Sequence, residues 1–429
     1  MDNAATLLAR RKQFVPNGIG IFNPSTAVSA KGALIVDADG REMIDFAGGI
    51  GVVNAGHCPP PVVEAIARQA ATLIHCSFNV ATYGLYMDLA EKLATILPHG
   101  DHTKVMLTNS GAESVENAIK IARQATGRSA VICYEGAFHG RTMMAMTLTS
   151  KVGYKLGCGP FSPEVYRLPY PDGYHSPVEG DLSAYHLRRL EDFFHTHVPA
   201  GEVAAIILEP VQGEGGFHVV PAAYLQGLRE ICDRNGILLI LDEVQSGFGR
   251  TGKWAAYQHF GVFPDISTWA KSMGSGMPIG AVVGKAGVMD ACKPSTIGGT
   301  YSGNPVCVAA AMATLDYMES VDINKKGEHV GEVVRQRMLA LQKRFTAIGD
   351  VRGLGAMMAF ELVKDGDPGR PDAALCKNLI SYCADHGLVL ISAGVNGNVV
   401  RILSPLVIEE TLLKTGLDII ESGLEALTK

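Results

Sequence analysis

The sequence has no CxxC pair, no long run of one charge and no apolar stretch near the about 18 residues of a membrane span. Each absence removes a class of function. The nine cysteines, at 58, 76, 133, 158, 232, 292, 307, 376 and 383, are an odd and scattered set. They predict reduced thiols in a cytoplasmic protein. Basic clusters at 10–12 and 188–189 are too short for a phosphate-backbone surface, and the net charge is −6, so no nucleic-acid partner is expected. In MDNAATLLARRKQF the basic residues follow the apolar segment, which is not the order of a secretory signal, and no membrane partner is expected either. No GxGxxG stands at a strand–helix turn, so the dinucleotide fingerprint is missing. GFGRTGKW (247–254) comes close to a nucleotide phosphate loop, but Trp254 occupies the position of the magnesium-binding hydroxyl and no helix pattern opens there. His195, Thr196 and His197 have no nearby Cys or Asp to complete a ligand set, so no metal is expected.

What is abundant is glycine, 49 in 429 residues, within a composition that is 47 % apolar and 19 % charged. That is a globular chain with a large core and room for two to four structural units. Asp39-Gly40 between apolar runs predicts a hairpin over 31–46. Helical periodicity covers 62–74 and 84–97. Short runs rich in Val and Ile then alternate with helices: 104–109, 129–134, 203–210, 237–244, 265–271 and 279–284 as strands, 112–126 and 221–235 as helices. Such runs are strands buried on both faces, so the fold class is α/β with a largely parallel central sheet. After the helix 305–320 a smaller α/β region follows, with helices at 324–347 and 371–386, strands at 357–363 and 399–405, and a terminal helix. The expected division is 1–60 as an N-terminal part of the small domain, 61–320 as the large domain and 321–429 as the C-terminal small domain.

Two residues stand out on these strands. Asp242 ends the apolar run ILLILD, which places its carboxylate at the carboxyl edge of the sheet, where open α/β sheets bind ligands. Lys271 leaves the strand DISTWAK at the same edge and runs into Gly274, Gly276, Pro278 and Gly280. A desolvated lysine becomes a usable amine nucleophile. A Schiff-base lysine and an aspartate for a pyridinium nitrogen are what pyridoxal phosphate requires. For its phosphate, Ser110, Gly111 and Ala112 open a helix directly after a strand. Thr300 in GGTYSGNP offers a second hydroxyl. Taken one by one, these residues also read as an ion-paired aspartate, a solvated lysine and a plain helix cap.

NSGAESVENAIKIAR (109–123), GAFHGRT (136–142), EPVQGEGG (209–216), LDEVQSGFGRTG (241–252), PDISTWAKSMGSGMPIGAVVG (264–284) and GGTYSGNP (298–305) resemble, in this order, the class III pyridoxal-phosphate aminotransferases. The resemblance extends from 39–57 to VVRILSPL (399–406). It implies a fold type I transferase in which the small domain draws on both chain ends. It further implies that Lys271 holds the cofactor and shuttles a proton, and that Asp242 keeps the pyridine nitrogen protonated. Gln245 would bond the ring hydroxyl, with Phe138 on one ring face and Val244 on the other. Ser110, Gly111 and Ala112 would hold the phosphate, with Thr300 arriving from a partner subunit of a homodimer or higher homo-oligomer.

Substrate choice, on the same resemblance, rests on Arg141 for the distal carboxylate, Arg401 for an α-carboxylate, Glu214 as its switchable partner and Ile50 as an apolar wall. An unpaired buried arginine is costly, so Glu214 would neutralise Arg401 when a substrate has one carboxylate and release it when a dicarboxylate arrives. The implied reaction joins an ω-amino donor, 4-aminobutyrate foremost, to the 2-oxo acid 2-oxoglutarate. 5-Aminovalerate remains open as donor, because one methylene is worth only about 1–3 kcal/mol in a pocket. An epimerase or decarboxylase on the same fold would have no use for the Glu214 and Arg401 pair. A protein retaining only the fold would have no use for Lys271 and Asp242 together.

Overall fold

The structure, a computed structural model, describes residues 2–100, 102–175 and 178–428. Its centre is a seven-stranded sheet in the order Thr103–Thr108, Gly280–Lys285, Ile266–Trp269, Leu238–Asp242, Val203–Leu208, Ala130–Tyr134, Val165–Leu168. Gly280–Lys285 is antiparallel to both its neighbours, while the run from Ile266–Trp269 to Val165–Leu168 pairs in parallel throughout. The largely parallel sheet expected from the apolar runs is therefore present, with one strand reversed. Helices cover both faces, which is why every residue of VAAIIL, the strand Val203–Leu208, is buried. Truncating Ile206 there to alanine would cost about 2–5 kcal/mol in lost burial and residual cavity.

The helix Gly111–Thr126 begins where the strand Thr103–Thr108 ends. The Ser110 hydroxyl accepts from Glu113 N at 3.2 Å, and Glu113 in turn accepts from Asn109 N at 2.8 Å, so the first turn is capped from both directions. Gly127, at φ 69°, closes the helix in the left-handed conformation that glycine adopts without strain.

Two smaller sheets flank this core. One contains Ser29–Lys31, Leu34–Val36 and Glu42–Asp45, joined by Leu388–Val389, which pairs in parallel with Glu42–Asp45. Strands from the two ends of the chain thus share a sheet. The other is antiparallel, in the order Ile348–Leu354, Met357–Leu362, Val399–Ile402, Ile391–Ala393.

The expected helix 324–347 is shorter: it spans Ile323–Arg344, and Ile348 already opens a strand. That strand buries only Ile348 fully, so no apolar alternation marked it. The helix Leu182–Thr196 escaped the sequence reading because only Ser183, His186 and Leu190 are buried along it. The strand of DISTWAK ends at Trp269, before Lys271, which starts a single 3₁₀ turn at φ 48°. GFGRTGKW serves the fold: Arg250 is fully buried and donates to Ser404 O at 3.0 Å and Asn54 Oδ1 at 2.5 Å.

Candidate active site

Strands that run in parallel bring their carboxyl ends to one edge, and here those ends enclose a cavity of about 460 Å³. Ser110, Gly111, Ala112, Phe138, Arg141, Glu214, Asp242, Val244, Gln245 and Lys271 all line it. Three expected site residues lie elsewhere in the single chain. Arg401 sits behind Glu214; Ile50, at φ 68°, lines a separate hollow with Phe22 and Ile391; and Thr300 is on an exposed turn. Val52, two positions after Ile50, lines the main cavity.

Asp242 is held from three sides. His139 Nδ1 donates to its Oδ2 at 2.7 Å, while Thr268 Oγ1 and Val244 N donate to Oδ1 at 2.9 and 3.2 Å. The carboxylate is thereby oriented without losing all its acceptor capacity. The buried Glu209 accepts from Phe138 N at 3.1 Å and Gly213 N at 3.0 Å. Burial, with Asp242 adding to it, pushes its carboxyl up to about 7. His139 and Glu209 were not singled out in the sequence, although both lie inside the quoted motifs.

Lys271 is partly buried on the cavity wall, and desolvation there pulls its ammonium down to about 8. Glu214, Asp242 and Glu209 act against that shift without cancelling it, and Arg401 adds to it. The neutral amine form of Lys271 is therefore reached at lower pH than in a solvated lysine.

On the far wall Glu214 receives Arg401 Nη1 on Oε1 at 2.5 Å and the Tyr154 hydroxyl on Oε2 at 2.8 Å. Burial by itself would raise the Glu214 carboxyl; the Arg401 charge and the two hydrogen bonds overcome it and hold the group below its ordinary value. Arg401 also donates Nη2 to Ser392 O at 3.0 Å, and its Nε is buried without a partner. Arg141 lies over the Tyr154 ring, its Cζ 4.5 Å from the centroid. No shared motif pointed to Tyr154; only the folded chain brings it beside both arginines.

A second cavity, of about 290 Å³, is lined by Glu135, Asp172, His175, His218 and Glu361 among others. His175 bridges two carboxylates, Nδ1 to Asp172 at 2.6 Å and Nε2 to Glu361 at 2.8 Å. Arg352 Nη2 lies 2.7 Å from the other oxygen of Glu361.

The fold and the first cavity are those of a pyridoxal-phosphate-dependent enzyme of fold type I. The sequence profile described as aminotransferase class-III matches residues 22–424, and the chain belongs to that family. It is 46 % identical to a probable 4-aminobutyrate aminotransferase of Bacillus subtilis, covering 97 % of each chain. It is 44 % identical to the 5-aminovalerate aminotransferase DavT of Pseudomonas aeruginosa, covering 98 % of each. Among solved structures, the pyridoxal-phosphate-bound amine transaminase of an uncultivated Pseudomonas species superposes with a TM-score of 0.89 at 32 % identity, over 94 % of this chain and 95 % of that one.

The residues present fit the cofactor. A Cβ on Gly111 would come within 2.9 Å of Val244 Cγ1, so the helix start that faces the cavity is kept narrow and open-backboned. Gln245 Oε1 is buried with no hydrogen-bond partner, as a group awaiting a donor in the cavity would be. Lys271 and Asp242 would supply the amine and the acceptor that the cofactor needs. The protein is an aminotransferase that uses pyridoxal phosphate.

Proposed function

We propose that the enzyme transfers the amino group of an ω-amino acid, 4-aminobutyrate foremost, to 2-oxoglutarate, giving succinate semialdehyde and glutamate. The observation that carries this reading is Glu214, on the wall of the cavity that also holds Arg141, bonded to the buried Arg401 behind it. A donor with one carboxylate needs one arginine, and the second must then be neutralised from within the protein. A dicarboxylate needs both, and Arg401, once released by Glu214, is free to pair with the second carboxylate. A relative described as a 4-aminobutyrate aminotransferase, 44 % identical over 98 % of each chain, supports the same donor.

Pyridoxal phosphate, when bound, supplies an electron-withdrawing ring that lets a substrate C–H bond break without a free carbanion. Lys271 would hold it through Nζ and move a proton at the substrate carbon bearing the amine. Asp242, oriented by His139, would keep the proton on the ring nitrogen. Gln245 would hydrogen-bond the ring hydroxyl, accepting on the Oε1 that has no partner in the chain. Ser110, Gly111 and Ala112 would take the phosphate on hydroxyl and backbone N–H groups, and Phe138 and Val244 would close over the ring faces. Val52, rather than Ile50, would wall the donor end of the pocket, and Thr300 would reach the phosphate of a second subunit. Its exposed position, outside its own chain's cavity, supports a homodimer. In this reading residues 61–320 form the cofactor-binding domain, with 1–60 and 321–429 making the smaller one. Nine free cysteines support a cytoplasmic setting, and no helix among the described residues is long and apolar enough to cross a membrane.

The test is the visible spectrum of the purified enzyme. Addition of 4-aminobutyrate without an oxo acid should bleach the yellow band, and 2-oxoglutarate should restore it. A band that survives 4-aminobutyrate but bleaches with 5-aminovalerate would replace the donor and leave the rest of the reading in place.

A further inference from the structure

Three features meet at Tyr154, on the 3₁₀ turn Val152–Tyr154. Its hydroxyl donates to Glu214 Oε2 at 2.8 Å, on the side of the carboxylate away from Arg401. Its ring face carries the Arg141 guanidinium at 4.5 Å, and its edge meets Phe138 at 5.2 Å between centroids. The turn itself is anchored, because Lys151 Nζ donates to Gly394 O at 3.0 Å. Gly394 N in turn donates to Glu214 O at 3.0 Å. The backbone of Glu214 is therefore tied to the same point as the turn that carries Tyr154. For Glu214 to leave Arg401 its side chain must rotate, and the bond that rotation breaks, besides the ion pair, is the one from Tyr154.

We propose that Tyr154 is a positioning residue that latches Glu214 onto Arg401, and so sets how readily the pocket passes from a one-carboxylate to a two-carboxylate ligand. The proposal rests on the reading of Glu214 and Arg401 given above. With the latch, the state suited to an ω-amino acid is favoured. Without it, Glu214 yields Arg401 more easily to the α-carboxylate of an oxo acid. A hydrogen bond to a charged group is worth enough to move such a balance by about tenfold.

The experiment compares the two half-reactions of the cofactor-loaded enzyme by stopped-flow absorbance, for wild type, Tyr154→Phe, Glu214→Ala and the double variant. Tyr154→Phe keeps the ring under Arg141 and removes only the hydroxyl. Its kcat/KM for 4-aminobutyrate should fall and its KM for 2-oxoglutarate should fall as well, the ratio of the two specificities shifting about tenfold toward the oxo acid. In the Glu214→Ala background the same substitution should have no further effect on that ratio. Tyr154→Leu should weaken both half-reactions together, because Arg141 loses its support. If Tyr154→Phe leaves the ratio unchanged while Glu214→Ala shifts it, the latch is wrong and the reading of the gate stands. If Glu214→Ala impairs both half-reactions equally, the reading itself fails and the latch with it. A loss of thermal stability in Tyr154→Phe without a change of ratio would mark the residue as structural and overturn the proposal.

Discussion

Arg401 and Glu214 lie 187 positions apart in the chain and share one ion pair, in which the arginine is almost completely buried. A charge so far from water needs partners that replace its hydration, here a carboxylate, and breaking such a pair from one side costs about 3–5 kcal/mol. The pair therefore has to be exchanged for another carboxylate rather than opened.

Replacing Glu214 with alanine should leave Arg401 uncompensated whenever the ligand has a single carboxylate. We expect kcat/KM for 4-aminobutyrate to fall by about 100-fold, and that for glutamate by less than about tenfold. Steady-state kinetics with each donor measure this directly. Equal losses would remove the exchange from the mechanism.

Lys271→Ala should abolish turnover, by about 10⁴-fold or more, while leaving the thermal unfolding transition within a few degrees of wild type. Circular dichroism checks the fold, and the coupled rate checks the chemistry. A variant that still transaminated at an appreciable rate would exclude Lys271 as the proton carrier. Methylamine added to the variant should rescue activity, more strongly as pH rises and the added amine deprotonates.

His139→Asn should weaken the hold on Asp242 without removing its charge. The expected result is a drop in kcat of about tenfold, together with weaker cofactor retention on dialysis. Unchanged retention would mean that Thr268 and Val244 orient Asp242 sufficiently by themselves.

Stability should depend on pH through His175. The hydrogen bonds to Asp172 and Glu361 hold its imidazolium up at about 9, against an ordinary value of 6.5. Burial would raise Glu361, but His175 and Arg352 hold it down at about 2, against an ordinary 4.5. A raised base stabilises fully below 6.5 and loses that contribution as pH climbs through about 9; a depressed acid stabilises fully above 4.5 and loses it as pH falls through about 2. Both contributions are complete between 4.5 and 6.5. The Tm difference between wild type and His175→Gln should therefore be greatest in that window, shrink as pH rises from 6.5 and be gone above about 9. A difference constant across the alkaline range would show that the histidine contributes no charge.

Arg250→Leu should destabilise the protein by about 2–4 kcal/mol, because the Ser404 carbonyl and the Asn54 side chain would be left without their donor in a dry interior. Urea denaturation measures it. Magnesium–nucleotide titration of the wild type should give no binding at this loop.

Much of this protein is written locally. Runs such as ILLILD and VAAIIL are apolar enough to be buried on both faces, so their ends had to mark the carboxyl edge of a parallel sheet. That local logic placed Asp242 and Ser110 at the ligand edge and brought Lys271 to it within two residues of its strand's end. The polar helix Leu182–Thr196 and the strand Ile348–Leu354 stayed hidden because neither shows enough burial to print a period on the sequence. The sheet, its ligand edge and the family were legible in the chain because they depend on periodicity and on contiguous motifs. Which charges meet was decided only by the tertiary structure. An arginine in a sequence has the same character whether it ends in water or against Glu214, and Tyr154 is one tyrosine among 13 until the fold sets it between Arg141 and that carboxylate. Coulomb energy and desolvation depend on distance and surroundings in space, and neither is a function of separation along the chain.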